Sequence, residues 1–375
     1  MSDLISKITT PLKIKRKIQE TSDTYSFTFE IPLHEKEKFL YSAGQFVTLF
    51  MNINGESISR SYSLASTPAL NEDFQITVKR VPGGKGSNFL ADSLHEGDTV
   101  LVMPPQGRFF QPYSKENHVF YFLFAAGSGI TPIYSICKEL LAQHSNAQIY
   151  FFYANRDENN VIFKSSIEKL ASEHSPRLHL TYMYSKPKAA RLTLVGRCSS
   201  FMAKNFALQN MENADKKQAY ICGPEGFMAE VKSGLQSAGF TDEEIRMESY
   251  GPSTKPKTEA STQTSGLNLD DKIIVGDDTP FATPKKIQAI INGTTVEVDA
   301  LPETSILESL IEAGQNPPYS CMNGACMACM AKITKGRIYQ NDPGILTHEN
   351  LQAKEILTCQ AKPLTETVVI DYDNF

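Results

Sequence analysis

The spacing of apolar and polar positions changes character twice along the 375 residues. From about Ile8 to Tyr113, short runs with strand period are separated by Gly, Pro and Asn turns: Tyr25 to Phe29, Gln45 to Phe50, Phe74 to Arg80 and Thr99 to Val102. No long amphipathic helix interrupts them, so the pattern predicts a small antiparallel β-barrel over residues 8–113. From about Asn117 the apolar runs become continuous, at Val119 to Phe124, Gln148 to Tyr153, Leu178 to Tyr184 and Ala219 to Cys222. Helical periodicity at Ile133 to Gln143 and Phe163 to Ser172 separates them. Buried-type strands alternating with helices predict an α/β domain with a parallel sheet over residues 114–250. Residues 251–284 are rich in Ser, Thr, Pro, Asp and Lys and predict a flexible linker in which only Lys272 to Val275 packs. The last block, residues 285–375, opens with a hairpin pattern (Ile287 to Ile291, Asn292-Gly293, Thr295 to Val298) and continues into a short helix, Ser305 to Ala313. The chain is therefore expected to be multidomain.

Composition adds exclusions. Apolar residues are 41% and charged residues 21%, ordinary for a globular protein. The longest apolar stretch, Val119 to Ala126, has strand length, so no membrane span is expected. Met1-Ser2-Asp3-Leu4 lacks the basic-then-apolar layout of a signal peptide, and a cytoplasmic location is the expectation. A net charge of −5 argues against nucleic acid as a partner. Residues 285–375 hold seven Lys/Arg against eleven Asp/Glu, an acidic surface that is either simply solvated or suited to a basic docking partner.

Cysteine placement carries the most chemistry. Cys137, Cys198 and Cys222 are scattered, whereas Cys321-x4-Cys326-x2-Cys329 is followed by Cys359. That is the spacing of a plant-type 2Fe–2S site. Four thiolates must converge on two irons, and Gly324 and Ala325 keep the loop compact enough for three of them to wrap one edge. Structural zinc is the rival reading, but zinc motifs pair C-x2-C units or use histidines, and neither pattern is present. Cys137, inside the helix after a glycine-rich turn, reads as a buried apolar contact. The Lys13 to Lys17 run reads as a solvated strand face.

Four further motifs fall in order. Arg60-Ser61-Tyr62-Ser63 lies on a predicted strand, where alternation puts a cation and an aromatic plate on one face. An ordinary strand with a surface arginine would look the same. Gly83 to Leu90 reads as a glycine-rich loop opening a helix, which is an anion site by way of free backbone amides and the helix dipole. Ala125-Ala126-Gly127-Ser128-Gly129-Ile130-Thr131-Pro132 ends a buried strand and opens a helix with Pro132 in its first turn. It is not G-x-G-x-x-G, yet a backbone-lined pyrophosphate cradle fits it. Cys222-Gly223-Pro224 ends a later strand at the same sheet edge, where nucleotides bind in parallel sheets.

In this order the motifs resemble the ferredoxin–NADP reductase superfamily over residues 8–250. The block from Lys285 to Phe375 resembles plant-type ferredoxins, including Pro318-Tyr319-Ser320-Cys321 and Gly336. The whole chain resembles oxygenase reductase components of the phenylacetyl-CoA epoxidase and ketosteroid 9α-hydroxylase type. The resemblance implies an antiparallel β-barrel flavin domain, an α/β parallel-sheet nucleotide domain and an α+β β-grasp ferredoxin domain. It implies FAD, a 2Fe–2S cluster held by Cys321, Cys326, Cys329 and Cys359, and NADPH or NADH as substrate. Arg60 and Ser87 would hold the flavin pyrophosphate, Tyr62 would stack on the ring and Ser63 would bond to it, with Lys79, Gly86 and Asn88 as further cofactor-binding positions. Gly127 and Gly129 in the glycine turn and Gly223 and Pro224 after the later strand would bind the dinucleotide, with Thr131 near the flavin and Cys222 near the nicotinamide. Tyr250 would cover the second flavin face and Glu248 would assist proton movement, leaving Ser63, Cys222 and Glu248 as the catalytic set. Arg156, after the second parallel strand, leans toward NADPH, while Asp157 beside it is the kind of group that selects NAD. Two positions depart from the ferredoxin pattern: Met322 and Met327 stand where the family often has Arg and Gly.

The expected function is an NAD(P)H-dependent electron-transfer reductase, monomeric, passing electrons through FAD and the cluster to an oxygenase, epoxidase, hydroxylase or desaturase. A stand-alone flavin reductase or diaphorase, and a redox-sensing interaction module, are the alternatives.

Overall fold

The structure, a computed structural model, describes residues 5, 8–113, 118–188, 194–211, 216–249, 272–301, 304–319, 322, 324, 327–341, 346 and 348–374. The chain divides into two compact units, Met1–Ser249 and Tyr250–Phe375.

The first unit begins with six antiparallel strands: β1 (Thr10–Thr21), β2 (Thr24–Glu30), β3 (Phe46–Ile53), β4 (Glu56–Ser63), β5 (Phe74–Lys79) and β6 (Thr99–Val102), in the order β4-β3-β6-β1-β2-β5. The edge strands approach through a Leu64–Ile76 bridge and an Ala65 N–H to Gln75 carbonyl bond of 2.8 Å, which curls the sheet toward a barrel. Strand β1 alternates at its start, with Leu12 and Ile14 buried and Lys13 and Lys15 exposed. Lys17 departs from the expected solvated face. Its Nζ donates to the carbonyls of Ala91 and Leu94 at 2.7 Å, capping the end of helix α1 (Lys85–Ser93). A cation there meets the negative end of the helix dipole.

A six-stranded parallel sheet follows: β7 (Val119–Ala126), β8 (Ala147–Asn155), β9 (Leu178–Tyr184), β10 (Leu194–Val195), β11 (Lys216–Cys222) and β12 (Ile245–Glu248), in the order β10-β9-β8-β7-β11-β12. Every residue of β7 is buried. Val119, Tyr121, Leu123 and Ala125 join one core while Phe120, Phe122 and Phe124 join the other, so the strand is apolar throughout because helices cover both faces. Those helices are α2 (Ile130–Gln143), α3 (Lys164–Glu173), α4 (Ser200–Gln209) and α5 (Glu225–Ser237). Helix α2 starts three residues earlier than its periodicity indicates, because Pro132 is tolerated in a first turn whose N–H groups have no intrahelical acceptor. It is pinned to the barrel by the Ser135 hydroxyl on the Ser66 carbonyl at 2.6 Å and by the buried Lys138 ammonium on Glu72.

In the second unit, β13 (Lys272–Gly276) pairs with β17 (Arg337–Asn341), which also pairs with β19 (Lys362–Pro363). A five-stranded sheet holds β14 (Lys286–Ile291), β15 (Thr294–Asp299), β16 (Met330–Lys335), β18 (Glu355–Leu357) and β20 (Thr367–Asp371), in the order β15-β14-β20-β16-β18. Strand β14 is antiparallel to β15 and parallel to β20, the mixed pairing of a β-grasp. The β14–β15 turn uses Asn292 and Gly293, both at positive φ (50° and 74°), as a tight hairpin requires. Helix α6 (Ile306–Glu312) begins with a Ser305–Glu308 capping box and buries Ile306 and Leu310 in the sheet's core. A short helix, α7 (His348–Gln352), precedes β18.

Packing in this unit starts earlier than residue 285. Asp277 accepts from the amides of Thr279 and Gly336 at 2.9 Å, Ala282 N–H reaches the Leu364 carbonyl, and Phe281 stacks under the Arg337 guanidinium at 4.4 Å. Hydrogen bonds from Thr279 and Gly336 hold the Asp277 carboxyl down at about 2. The polar composition that reads as tether conceals these contacts because they are made by one carboxylate, one aromatic ring and the backbone.

Candidate functional site

Strand β4 places Arg60 and Tyr62 on one side, as alternation demands, and helix α1 lies against them. A β-carbon at Gly86 would stand 2.9 Å from Arg60 Cγ and 3.6 Å from Tyr62 Oη, so the glycine is what lets the helix start approach both side chains. Arg60 is exposed and donates to the Ser59 carbonyl at 2.7 Å. Tyr62 is half-buried, and burial pushes its phenol up from the ordinary range, so it stays neutral. Exposed cation, neutral ring and helix N-terminus together form a cradle with the donor set a flavin phosphate and ring need.

The other predicted barrel residues also make bonds within the chain. Ser87 Oγ accepts from the Val81 amide at 3.1 Å, and Asn88 donates to the Val81 carbonyl at 3.2 Å while accepting from Arg80. Both staple the loop that presents Gly86. Lys79 pairs with Asp23 at 3.0 Å.

At the carboxyl ends of the parallel strands, the turns after β7 and β11 interlock. A β-carbon at Gly129 would overlap the carbonyl group of Cys222, and one at Gly223 would lie 2.9 Å from Ala126 Cβ. Gly127 has φ +54° and accepts the Tyr153 hydroxyl at 3.2 Å on its carbonyl. Thr131 is buried and donates to the Ser128 carbonyl at 3.2 Å. Pro224 caps α5. Two backbone turns are thus held in contact at the sheet edge, the place for a dinucleotide in a parallel sheet.

Three residues far apart in sequence converge there. Cys222, fully buried, is the register partner of Glu248 across β11 and β12. Ser63, at the end of β4, donates to Glu248 Oε2 at 3.2 Å. Burial pushes the half-buried Glu248 carboxyl up to about 8, with the Ser63 hydrogen bond opposing it. A carboxyl with this value can hold or release a proton near neutral pH. Tyr250 lies outside the described residues.

Arg156 follows β8 and is exposed, whereas Asp157 is buried. Burial works against the Asp157 charge, and hydrogen bonds from Asn160 and Asn159, with Lys188 at 3.6 Å, outweigh it and hold the carboxyl below its usual range.

In the second unit Cys329 and Cys359 are both buried, while Cys321 and Cys326 lie outside the described residues. The Cys329 carbonyl accepts both the Thr358 amide (3.2 Å) and the Thr358 hydroxyl (2.9 Å), which ties the loop before β16 to the turn after β18. Tyr372 donates to that same hydroxyl at 2.8 Å, and Gln360 reaches the Cys359 sulfur at 3.7 Å. Two buried thiols on segments clamped side by side fit thiolate ligation of an iron–sulfur cluster. Thr358, Gln360 and Tyr372 escaped the sequence reading. The first two flank Cys359 and could have been flagged by adjacency, but nothing in the pattern marks Tyr372.

Known proteins resemble the chain in sequence and fold. The chain matches the oxidoreductase FAD-binding domain family over residues 11–111, the oxidoreductase NAD-binding domain family over 123–233 and the 2Fe–2S iron–sulfur cluster binding domain family over 289–364. It is 32% identical to the 3-ketosteroid-9-alpha-monooxygenase ferredoxin reductase component of Mycolicibacterium smegmatis, covering 96% of each chain. It is 29% identical to one of the subunits of the 1,2-phenylacetyl-CoA epoxidase of Escherichia coli, again covering 96% of each. Among solved structures, phthalate dioxygenase reductase shares the fold at 22% identity and a TM-score of 0.56, covering 99% of this chain and 100% of that one. Among the described residues no helix is long and apolar enough to cross a membrane. The chain belongs to the family of ferredoxin reductase components that join FAD-binding, NAD-binding and 2Fe–2S domains in one polypeptide, and it is an NAD(P)H-dependent electron-transfer oxidoreductase.

Proposed function

We propose that this chain is the reductase component of an oxygenase system, drawing electrons from NADPH and delivering them singly to a terminal oxygenase. When bound, a flavin accepts an electron pair from a nicotinamide and a 2Fe–2S cluster carries one electron at a time. The observation that carries the reading is the meeting of Ser63, Cys222 and Glu248. It sets the flavin strand of the barrel against the nucleotide edge of the parallel sheet.

In this reading Arg60 and the start of α1 hold flavin phosphate, and Tyr62 lies flat against the ring. Gly129 and Gly223 let backbone amides approach the dinucleotide pyrophosphate. Cys222 walls the nicotinamide pocket and excludes water from it. Ser63 orients the ring edge, and Glu248 holds or releases a proton through the Ser63 hydroxyl. Tyr250 covers the ring from the other side. Cys321, Cys326, Cys329 and Cys359 hold the cluster, and a cytoplasmic setting suits them because thiols there stay reduced. NADPH is favoured over NADH because Asp157, the carboxylate that could bond a ribose diol, is committed to Asn159, Asn160 and Lys188. Arg156 meanwhile remains exposed for a phosphate. The terminal oxygenase follows from the names of the relatives, which are components of a monooxygenase and an epoxidase.

The test is anaerobic mixing of the purified, iron-loaded chain with NADPH. Flavin absorbance should bleach first, and the EPR signal of a reduced cluster should follow. A Ser63→Ala variant should keep its flavin and bleach roughly 100-fold more slowly, the lower end of what a positioned proton-transfer partner contributes. A chain that retains no flavin, or bleaches without reducing the cluster, overturns the proposal.

A further inference from the structure

The turn after β18 runs Leu357-Thr358-Cys359-Gln360-Ala361. Its backbone is held by the Gln360 amide on the Leu357 carbonyl at 2.8 Å and the Ala361 amide on the same carbonyl at 2.9 Å. Thr358 is fully buried, and its two bonds to the Cys329 carbonyl join the two cysteine-bearing segments. Tyr372, buried just beyond β20, completes a chain of donors running from its phenol to the Thr358 hydroxyl and on to that carbonyl. Such a chain is polarised in one direction and resists rotation of any member. The Cys359 backbone is therefore fixed before any metal arrives.

Against this rigid turn the Gln360 side chain folds back on its neighbour. Its Nε2 lies 3.0 Å from the Cys359 carbonyl oxygen and 3.7 Å from Cys359 Sγ. A primary amide carries two N–H groups on one nitrogen and can serve both acceptors together. The orientation is chemically enforced. Turning the amide over would set its oxygen against a carbonyl oxygen and a thiolate, both of them acceptors.

We propose that Gln360 tunes the iron–sulfur centre by donating an N–H to the Cys359 thiolate, raising the reduction potential. The inference rests on the reading that Cys359 is a cluster ligand, and it adds a residue to that site. Adding one electron makes the ligand sulfurs more negative, so a donor already aimed at one of them stabilises the reduced state more than the oxidised state. Gln360 is a positioning residue rather than a ligand. Its influence is felt through the Cys359 sulfur, and cluster assembly does not depend on it.

The experiment uses the whole chain, loaded with iron and sulfide, as wild type, Gln360→Leu and Gln360→Glu. Iron and acid-labile sulfide are assayed first, and then each protein is titrated electrochemically with the reduced cluster followed by EPR. Both variants should load as fully as wild type. At a fixed poise the reduced-to-oxidised ratio of Gln360→Leu should fall about tenfold, which for one electron is about 59 mV more negative. Gln360→Glu should fall further, because a carboxylate replaces the donor with a negative charge. An unchanged potential in a fully loaded Gln360→Leu overturns the proposal. So does failure of both variants to load, which would make Gln360 a structural residue. A wild-type chain that holds no cluster overturns the proposal and the reading of Cys359 beneath it.

Discussion

The proposed flavin–nicotinamide site and the proposed iron–sulfur site are built by opposite uses of the chain. In the first, Ser63 and Glu248 touch across 185 residues, and Cys222 joins them only through strand pairing. In the second, three of the four cysteines fall within nine residues of one loop, and the fourth sits on a turn that Thr358 ties to it. A site assembled by topology depends on how closely backbones can cross, whereas a site written into one loop depends on the conformation that loop will accept. Glycines mark the difference. Gly129 is required by a neighbouring backbone, while Met327, within the cysteine loop, adopts φ +55° without being glycine.

Breaking the topological site should give the largest effect. Gly129→Ala places a methyl group on the Cys222 carbonyl, which a close-packed backbone cannot absorb without moving. An overpacking penalty of about 1–3 kcal/mol falls directly on the dinucleotide turn. NADPH-driven bleaching should slow by roughly 100-fold at fixed NADPH while flavin content holds, as read by stopped-flow absorbance. A wild-type rate would mean that the two turns need not touch.

The next contrast is in pH. Glu248 is raised to about 8 in the fold against an ordinary value of 4.5. Between those values the native state keeps a proton that the unfolded chain has lost, so stability falls as pH rises through this window. Glu248→Gln lacks that slope. Its melting advantage over wild type should be near zero at pH 4.5 and grow toward pH 8. Discounted for the partial exposure of the carboxyl, it should reach about 1 kcal/mol, or roughly 2–4 °C. Melts that run parallel across the range would return Glu248 to an ordinary carboxylate.

The smallest effect should come from the loop site. A left-handed conformation costs a non-glycine residue about 1–2 kcal/mol, and glycine gives back roughly 0.5–1 kcal/mol through its freer unfolded chain. Met327→Gly should therefore stabilise the loop by about 0.5 kcal/mol, visible as a slightly later loss of cluster absorbance in urea. An earlier loss would show that the half-buried Met327 side chain contributes packing that outweighs its strain.

The legibility of the two sites follows the same division. The 2Fe–2S domain is readable because its chemistry calls for several cysteines at short spacing along the chain. Strand β7 is readable because eight consecutive buried residues leave no polar face to place. The Asn292-Gly293 hairpin and the short helix opening at Ser305 are readable because each is fixed by side chains close to it in sequence. Residues 277–284 were hidden, since Asp277, Phe281 and Ala282 find their partners at Gly336, Arg337 and Leu364, more than fifty positions away. Lys17 was hidden for the same reason, its acceptors lying at the end of α1.

By itself the amino-acid order determined which carriers this protein is built for, because cofactor chemistry demands particular residue types at short spacing. Only the tertiary structure decided which of those residues face one another. It committed Asp157 to its own turn, bonded Ser87 and Asn88 to the backbone of Val81, and aimed Gln360 at a sulfur. The physical reason is that a hydrogen bond or a raised carboxyl depends on atoms a few ångströms away, and long-range chain packing, not sequence distance, sets what those atoms are.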